Sequence, residues 1–325
     1  MGAADQCATR RSAVAQIESR PVRDDQTFPP RLIGLLVALT LAWGFNWPMI
    51  KLAIGGMAPM HFRLLCVAAG AAVLFAMARA ARVSLGVPRD EWRRLALMAF
   101  FNVTVWNILS VYAVAVMASG RASILGYTMP IWSVVLSTWF LREPFTARRA
   151  LGVALGMGGM LLLLGAEFQA VQRAPAGALM MITAAISWAI GLVMIRKWPT
   201  AMPTTSFTAW QLLLGGIPIA VIALFFEDGS FDPFRLAPGP MIGLFYNMFV
   251  AFGFCYWAFT KIARSAPVGV SSLSSLMVPV VGVFSGALVL GETPRWTDYA
   301  ALLLVVGSLA TVLIPPGRRV ATTGA

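Results

Sequence analysis

Ten long apolar stretches follow one another along the chain, and only short polar segments separate them. A helix that spans a bilayer needs about 20 mostly apolar residues. Of the 325 residues, 59% are apolar and only 12% are charged, whereas about a quarter of a soluble domain is charged. The sequence therefore predicts an all-α polytopic membrane protein rather than a soluble enzyme. The ten predicted transmembrane helices lie near 32–50, 62–78, 95–117, 122–140, 149–166, 176–195, 206–226, 240–260, 267–290 and 298–314.

The basic residues predict the orientation of these helices. If the N-terminus lies in the cytoplasm, 19 of the 25 Lys and Arg residues fall in cytoplasmic segments and the other six fall outside. The positive-inside rule expects such a bias. We therefore expect a multi-pass protein of the inner membrane with both termini in the cytoplasm. Topology and attraction to anionic membrane lipid then explain the net charge of +12, and no nucleic-acid partner is needed.

The residues that bind metals or form catalytic sets are sparse. Cys7, Cys66 and Cys255 form no CxxC pair, and His61 is the single histidine, so we expect no disulfide, no metal site and no cofactor. A membrane-embedded enzyme needs a convergent catalytic set, which this sequence does not show. A channel or a receptor is the remaining alternative to a carrier, and charged rings or filter loops typical of channels are missing.

The two halves of the chain repeat one another. Five helices per half is an odd number, so the second copy enters the membrane from the opposite side. Such inverted repeats are typical of secondary transporters, whose binding site lies near the midplane between the repeats. We therefore expect alternating access; a duplication that only builds a stable bundle is the alternative. The matched pairs are Pro130 with Pro279, Glu143 with Glu292 and Gly158 with Gly307 at an offset of 149 residues, and Trp43 with Trp188 and Lys51 with Arg196 at an offset of 145.

The repeats divide the chain into four segments. A cytoplasmic tail over 1–31 has the composition of a disordered segment, the first five-helix repeat covers 32–166, the second covers 176–314, and 315–325 form a cytoplasmic C-terminal tail. Small residues at GxxxG spacing in the fifth helix favour close helix packing within a monomer, with a weak homodimer as the alternative.

Four strings in the sequence resemble the drug/metabolite transporter superfamily. They are LAWGFNWPMIK (41–51), HFRLL (61–65), the segment 124–163 and its counterpart 271–313. They look like the EamA type, which has ten helices in two repeats, and within it like the exporters of aromatic and other amino acids known as YddG. The resemblance implies a carrier that exports small metabolites such as neutral amino acids. Drugs, sugars and organic cations are the alternative substrates.

Uncharged polar and aromatic residues inside the spans are the candidates for a substrate cavity. No Asp or Glu lies in the interior of a predicted span, and only Glu143, Glu292 and Asp298 approach helix ends, which argues against a carboxylate-based proton pump. Amides and indole N–H groups can meet the carboxylate and ammonium of a zwitterion, and aromatic rings supply apolar and cation–π surface. The alternative is that Asn residues bond between helices and Trp residues sit at the membrane interface. The candidate substrate-binding residues are Trp43, Asn46, Asn102, Trp106, Tyr127, Trp188, Tyr246 and Ser275.

Five further residues have predicted roles at helix bends or helix ends. Pro130 and Pro279 sit within the fourth and ninth helices, where each removes a backbone hydrogen bond, so we expect a kink that acts as a gate or cavity wall. Glu143 and Glu292 could accept bonds from the N–H groups that open the next helices, with coupling as the alternative role. Arg63 looks like the family's usual arginine at the start of the second helix, and we expect it to extend to lipid headgroups, with capture of the substrate as the alternative.

Overall fold

A computed structural model describes residues 30–117, 119–165, 175–229, 232–265, 277–291 and 296–313. Within these ranges the regular structure is helical, and six helices are long and apolar enough to cross a membrane. The predictions for the terminal tails, for Ser275 and for Glu292 fall outside them. The helices are α1 (Pro30–Ile54), α2 (Pro59–Ala80), α3 (Trp92–Val116), α4 (Ser119–Gly126), α5 (Met129–Phe140), α6 (Ala147–Gly165), α7 (Pro175–Lys197), α8 (Thr204–Phe225), α9 (Pro238–Ser265), α10 (Met277–Leu290) and α11 (Trp296–Leu313).

The predicted all-α architecture of ten spans is confirmed, because each predicted stretch coincides with helix in the described residues. The fourth predicted span is divided into α4 and α5. The turn between them falls at Tyr127 and Thr128, and Pro130 lies in the first turn of α5. Proline has no N–H and clashes with the carbonyl four residues earlier, so the helix ends before it. The sequence predicted a kink at this point, and the structure has a break.

Helices of the two repeats pack mainly on each other rather than on their own repeat. The most extensive contacts join α3 to α7, α1 to α9, α2 to α8 and α6 to α11, and further contacts join α1 to α10 and α5 to α7. If the helices are numbered one to five within each repeat, α2 and α8 are both the second helix, and α6 and α11 are both the fifth. The contact between α1 and α10 joins a first helix to a fourth, as the contact between α5 and α7 does. A pseudo-two-fold arrangement of inverted repeats requires such matching contacts. A Cβ on Gly44 of α1 would overlap Val281 of α10, so these backbones can approach only because residue 44 is glycine. The centre of the bundle is therefore built from both repeats.

The GxxxG segment of the fifth predicted helix contributes to this packing. Ser308 Oγ of α11 donates a hydrogen bond of 2.7 Å to the carbonyl of Gly152 in α6. A Cβ on Gly158 would meet Leu304 at 3.9 Å, so the two helices lie in ordinary van der Waals contact there. The small residues of α6 therefore serve a contact inside one chain.

Two helices contain a π-helical segment at equivalent positions. In α3 the segment is Phe100–Val105, and in α9 it is Tyr246–Cys255. Each holds a buried asparagine, Asn102 in α3 and Asn247 in α9, and these are 145 residues apart. A π-helical turn takes up more residues than an α-helical turn and often marks a functional site. In both helices the residues at the end of the segment or just beyond it face the centre of the bundle.

Candidate functional site

A cavity lies in the centre of the bundle, between α1, α2, α3, α7 and α9 and the break between α4 and α5. Its empty volume is ≈ 490 Å³, counting the part that is open to solvent. Both repeats contribute to its wall. The lining residues are Trp43, Asn46, Trp47, Ile50, Arg63, Trp106, Asn107, Ser110, Tyr127, Met129, Trp188, Ala251, Phe252 and Tyr256.

Aromatic rings gathered around Trp188 form one wall of this cavity. The Trp188 ring lies 5.7 Å from Trp43, 5.0 Å from Trp106 and 5.7 Å from Tyr256, measured between ring centroids. Behind them, Phe259 lies 5.0 Å from Trp188 and 5.3 Å from Trp43. Trp43 and Trp188 are the pair matched by the 145-residue offset, so the same position of each repeat meets its counterpart at the cavity. Edge-to-face and tilted contacts of this kind hold the rings in fixed orientations.

Three polar atoms of cavity-lining residues are buried and have no hydrogen-bond partner among the described residues. They are the acceptor Asn46 Oδ1 and the donors Arg63 Nε and Trp188 Nε1. Buried polar groups are nearly always hydrogen-bonded in proteins, and each exception needs an explanation. The three exceptions belong to residues that line one cavity and include both donors and an acceptor, so a ligand that pairs with all of them carries groups of both kinds.

Arg63 differs most from its sequence-based expectation. Its side chain does not extend to the lipid headgroups; the residue is 3% exposed and lines the cavity. The guanidinium carbon lies 5.1 Å from the centroid of the Phe62 ring and 5.7 Å from that of Phe252. The prediction of snorkelling was therefore wrong. Arg63 falls in the second turn of α2, where α8 and the π-helical part of α9 pack around the helix, so its route to the membrane surface is covered by protein.

Other polar groups in the cavity wall are paired with each other. Asn107 Nδ2 donates to Tyr256 Oη at 2.9 Å and to the Val103 carbonyl at 2.7 Å. Ser110 Oγ donates to the Asn107 carbonyl at 3.4 Å. Tyr256 was not among the predicted site residues. The 145-residue offset from Ser110 points to Cys255, and the π-helical segment places the next residue, Tyr256, in the cavity instead.

Five of the eight predicted substrate-binding residues line the cavity: Trp43, Asn46, Trp106, Tyr127 and Trp188.

Two others lie outside its wall, and Ser275 is not in the described part of the chain. Asn102 Nδ2 donates to the Trp188 carbonyl at 3.1 Å, so it supports that residue from behind. Tyr246 Oη donates to the Ala42 carbonyl at 2.7 Å and ties α9 to α1.

Pro279, which was predicted to kink a helix, is the third residue of α10 and is buried.

Glu143 lies at a helix end and has a structural partner. Glu143 accepts a hydrogen bond of 3.1 Å from Arg149 Nη1. The expected capping of the next helix by Glu143 is not what the structure shows, since Thr146 Oγ1 accepts from the Arg149 backbone N–H at 3.3 Å instead. Thr146 immediately precedes α6, which is where a hydroxyl can cap a helix.

The family model of EamA-like transporters matches the chain twice, over residues 31–165 and 175–314. The chain belongs to the EamA-like transporter family. Its two matches are the two repeats of the fold, and together they span most of the sequence. The prediction of a drug/metabolite transporter is confirmed, and the protein is a small-molecule transporter embedded in a membrane.

Several curated proteins are similar to the chain over most of their length. The "Uncharacterized transporter YoaV" of Bacillus subtilis is 26% identical over 79% of this chain and 88% of its own. The "Probable amino-acid metabolite efflux pump" of Salmonella typhimurium is 27% identical over 85% of this chain and 92% of its own. A solved structure matches with a TM-score of 0.73 at 19% identity, over 89% of this chain and 99% of that one, and supports the same fold.

Proposed function

We propose that this EamA-family transporter exports neutral amino acids, aromatic ones among them, by alternating access. The central cavity carries the proposal, because it combines an aromatic wall with unpaired donors and an unpaired acceptor. A zwitterionic amino acid presents one group that accepts hydrogen bonds and one that donates them. Asn46 Oδ1 would accept from the ammonium, and the rings around Trp188 would contact an apolar side chain.

The position of the cavity between the repeats supports the transport mechanism. Trp43 and Trp188 occupy equivalent positions and meet at its wall. In inverted-repeat transporters the two conformations that face opposite sides of the membrane arise by exchanging the conformations of the repeats. A site shared by equivalent residues can be kept while its surroundings exchange. We place the protein in the inner membrane with both termini in the cytoplasm, as the bias of its basic residues favours.

Two relatives of similar identity support the substrate class. The Salmonella protein and its counterpart from Escherichia coli, which is 26% identical over 85% of this chain, are both named as probable amino-acid metabolite efflux pumps. Organic cations are the less favoured substrates, because the guanidinium of Arg63 in the cavity wall would repel them. Neutral sugars would leave that charge without a partner.

Counterflow in liposomes tests this proposal. Purified protein is reconstituted, the lumen is loaded with one unlabelled amino acid, and entry of its labelled form is followed against protein-free liposomes. We expect saturable accumulation with phenylalanine, tryptophan, methionine or threonine, and loss of most of it in Asn46→Ala. Accumulation of sugars or organic cations, with none for any amino acid, would contradict the assigned substrate class.

A further inference from the structure

We propose that Arg63 is the residue that binds the carboxylate of the transported molecule and thereby restricts the substrates to acids. The inference rests on the proposed function, which it narrows to one chemical group. The inference also applies to acids without an amino group, so experiments can contradict it without contradicting the proposed function, and the reverse.

The guanidinium of Arg63 is a buried cation. An arginine side chain stays charged in proteins, and Arg63 is 3% exposed. No Asp or Glu in the described part of the chain forms an ion pair with it, and its Nε has no hydrogen-bond partner. The rings of Phe62 and Phe252 hold the cation but offer no acceptor in its plane. A buried charge of this kind lacks its counterion.

The central cavity gives a counterion access to Arg63. Arg63 lines the cavity, so an anion bound there would reach it without unfolding any helix. The planar guanidinium presents paired N–H groups that match the two oxygens of a carboxylate, which gives both affinity and orientation. Polar or ionisable groups kept inside membrane proteins mark substrate pathways for this reason.

Two further residues of the cavity wall have unpaired polar groups that complement Arg63. Trp188 Nε1 is a second unpaired donor, and Asn46 Oδ1 is the unpaired acceptor. An acid anchored on Arg63 therefore has an acceptor available for an amino group, whereas a cation without a carboxylate leaves the Arg63 charge unpaired and is repelled by it. The site thus distinguishes an amino acid from the amine that lacks its carboxylate.

The test compares three probes that share one ring: L-phenylalanine, 3-phenylpropionate without the amino group, and phenethylamine without the carboxylate. Affinities are measured on the full-length protein in lipid nanodiscs. The variants are Arg63→Met, Arg63→Lys and the control Arg79→Met, which removes an exposed arginine from the same helix. Thermal denaturation reports whether each variant is folded.

We expect wild type to bind phenylalanine at least tenfold more tightly than phenethylamine. Arg63→Met should lose at least tenfold in affinity for both carboxylates while phenethylamine binds equally or more tightly, and Arg79→Met should match wild type. Arg63→Lys, which keeps the charge without the planar fork, should weaken the carboxylates severalfold. If Arg63→Met does not fold, this selective weakening in Arg63→Lys decides the question.

Equal weakening of all three probes would overturn the inference, as would unchanged binding of the carboxylates. Arg63-dependent binding of 3-phenylpropionate by a protein that does not bind phenylalanine would support the inference and contradict the proposed function. Amino-acid counterflow that is unchanged in Arg63→Met would support the proposed function and contradict the inference.

Discussion

Lys51 and Arg196 occupy equivalent positions in the two repeats, and each donates hydrogen bonds to the end of a neighbouring helix. Lys51 Nζ donates to the carbonyls of Val114 at 2.8 Å and Met117 at 3.1 Å, at the end of α3. Arg196 Nη1 donates to the Arg264 carbonyl at 3.3 Å, at the end of α9. The last carbonyls of a helix lack intrahelical partners and attract basic groups. Because α3 and α9 are equivalent, the same capping contact is built twice.

We predict that Lys51→Met and Arg196→Met each lower the free energy of unfolding, Lys51→Met by more. Hydrogen bonds that involve a charged group contribute about 1.5–3 kcal/mol. Lys51 makes two short bonds and Arg196 one longer one, so we expect losses of about 2 and about 1 kcal/mol respectively. Unfolding in detergent followed by tryptophan fluorescence measures both. Arg79→Met is the control for loss of charge and should change stability by less than about 0.5 kcal/mol; equal losses in all three variants would contradict the prediction.

A second prediction concerns the equivalent positions Arg142 and Gly291. Both residues have a left-handed backbone, with φ of 55° and 72°. This conformation costs a non-glycine residue about 1–2 kcal/mol, so Arg142→Gly should stabilise the protein by up to about 1 kcal/mol and Gly291→Ala should destabilise it by a similar amount. Melting temperatures in detergent show whether each variant is more or less stable than wild type.

Gly34 provides the matched control for this pair. It lies inside α1, and a Cβ there meets nothing within 4 Å. Gly34→Ala should therefore stabilise the protein by about 0.5–1 kcal/mol. If Gly291→Ala also stabilised the protein, a non-glycine residue would not be strained at this left-handed position, which would contradict the prediction.

The repeat pattern in the sequence matched two residues that meet at the candidate site. The 145-residue offset paired Trp43 with Trp188, and these rings meet at the cavity 5.7 Å apart. Hydropathy likewise predicted the spans, because helices in lipid must bury their polar backbone whatever their tertiary contacts. Both signals are local or periodic, and neither depends on how helices rotate against one another.

The rotation of helices is where sequence reasoning failed. Tyr246 was predicted to line the cavity, and Tyr256 does so instead. The π-helical segment Tyr246–Cys255 precedes Tyr256, and its wider turns bring Tyr256 to the face that lines the cavity. An α-helical period of 3.6 residues cannot anticipate this placement. Arg63 was misplaced for a related reason, since its position near a helix start does not reveal which neighbouring helices cover it.

A third prediction compares the indole N–H groups of Trp188 and Trp210 in their effect on ligand binding. Trp188 Nε1 is unpaired beside the cavity, whereas Trp210 Nε1 donates to the Leu85 carbonyl at 2.9 Å. Trp188→Phe should weaken L-phenylalanine binding about tenfold or more, because the carboxylate is the only acceptor that this ligand offers the indole N–H and a hydrogen bond to a charged group contributes about 1.5–3 kcal/mol. Trp210→Phe makes the same chemical change away from the cavity and should leave the affinity unchanged. Equal affinities for both variants would show that the Trp188 N–H does not contact the ligand.

The last prediction concerns Glu227, which follows α8 and joins three helices. Its Oε2 accepts from the backbone N–H groups of Met60 at 2.7 Å and His61 at 3.0 Å, at the start of α2. Its Oε1 accepts from Tyr112 Oη of α3 at 3.3 Å. The first N–H groups of a helix lack intrahelical partners and favour an anion. Glu227 thus caps α2 from another part of the chain.

We expect Glu227→Ala to lower the free energy of unfolding by about 2 kcal/mol and Tyr112→Phe by at most about 1 kcal/mol, since Tyr112 supplies one long bond and the backbone two short ones. The double variant tests whether these contributions are linked. If the Tyr112 hydroxyl acts through Glu227, removing it should have almost no further effect in the Glu227→Ala background. An additive loss in the double variant would mean that the hydroxyl stabilises the protein through another contact, and that the carboxylate caps α2 independently of α3.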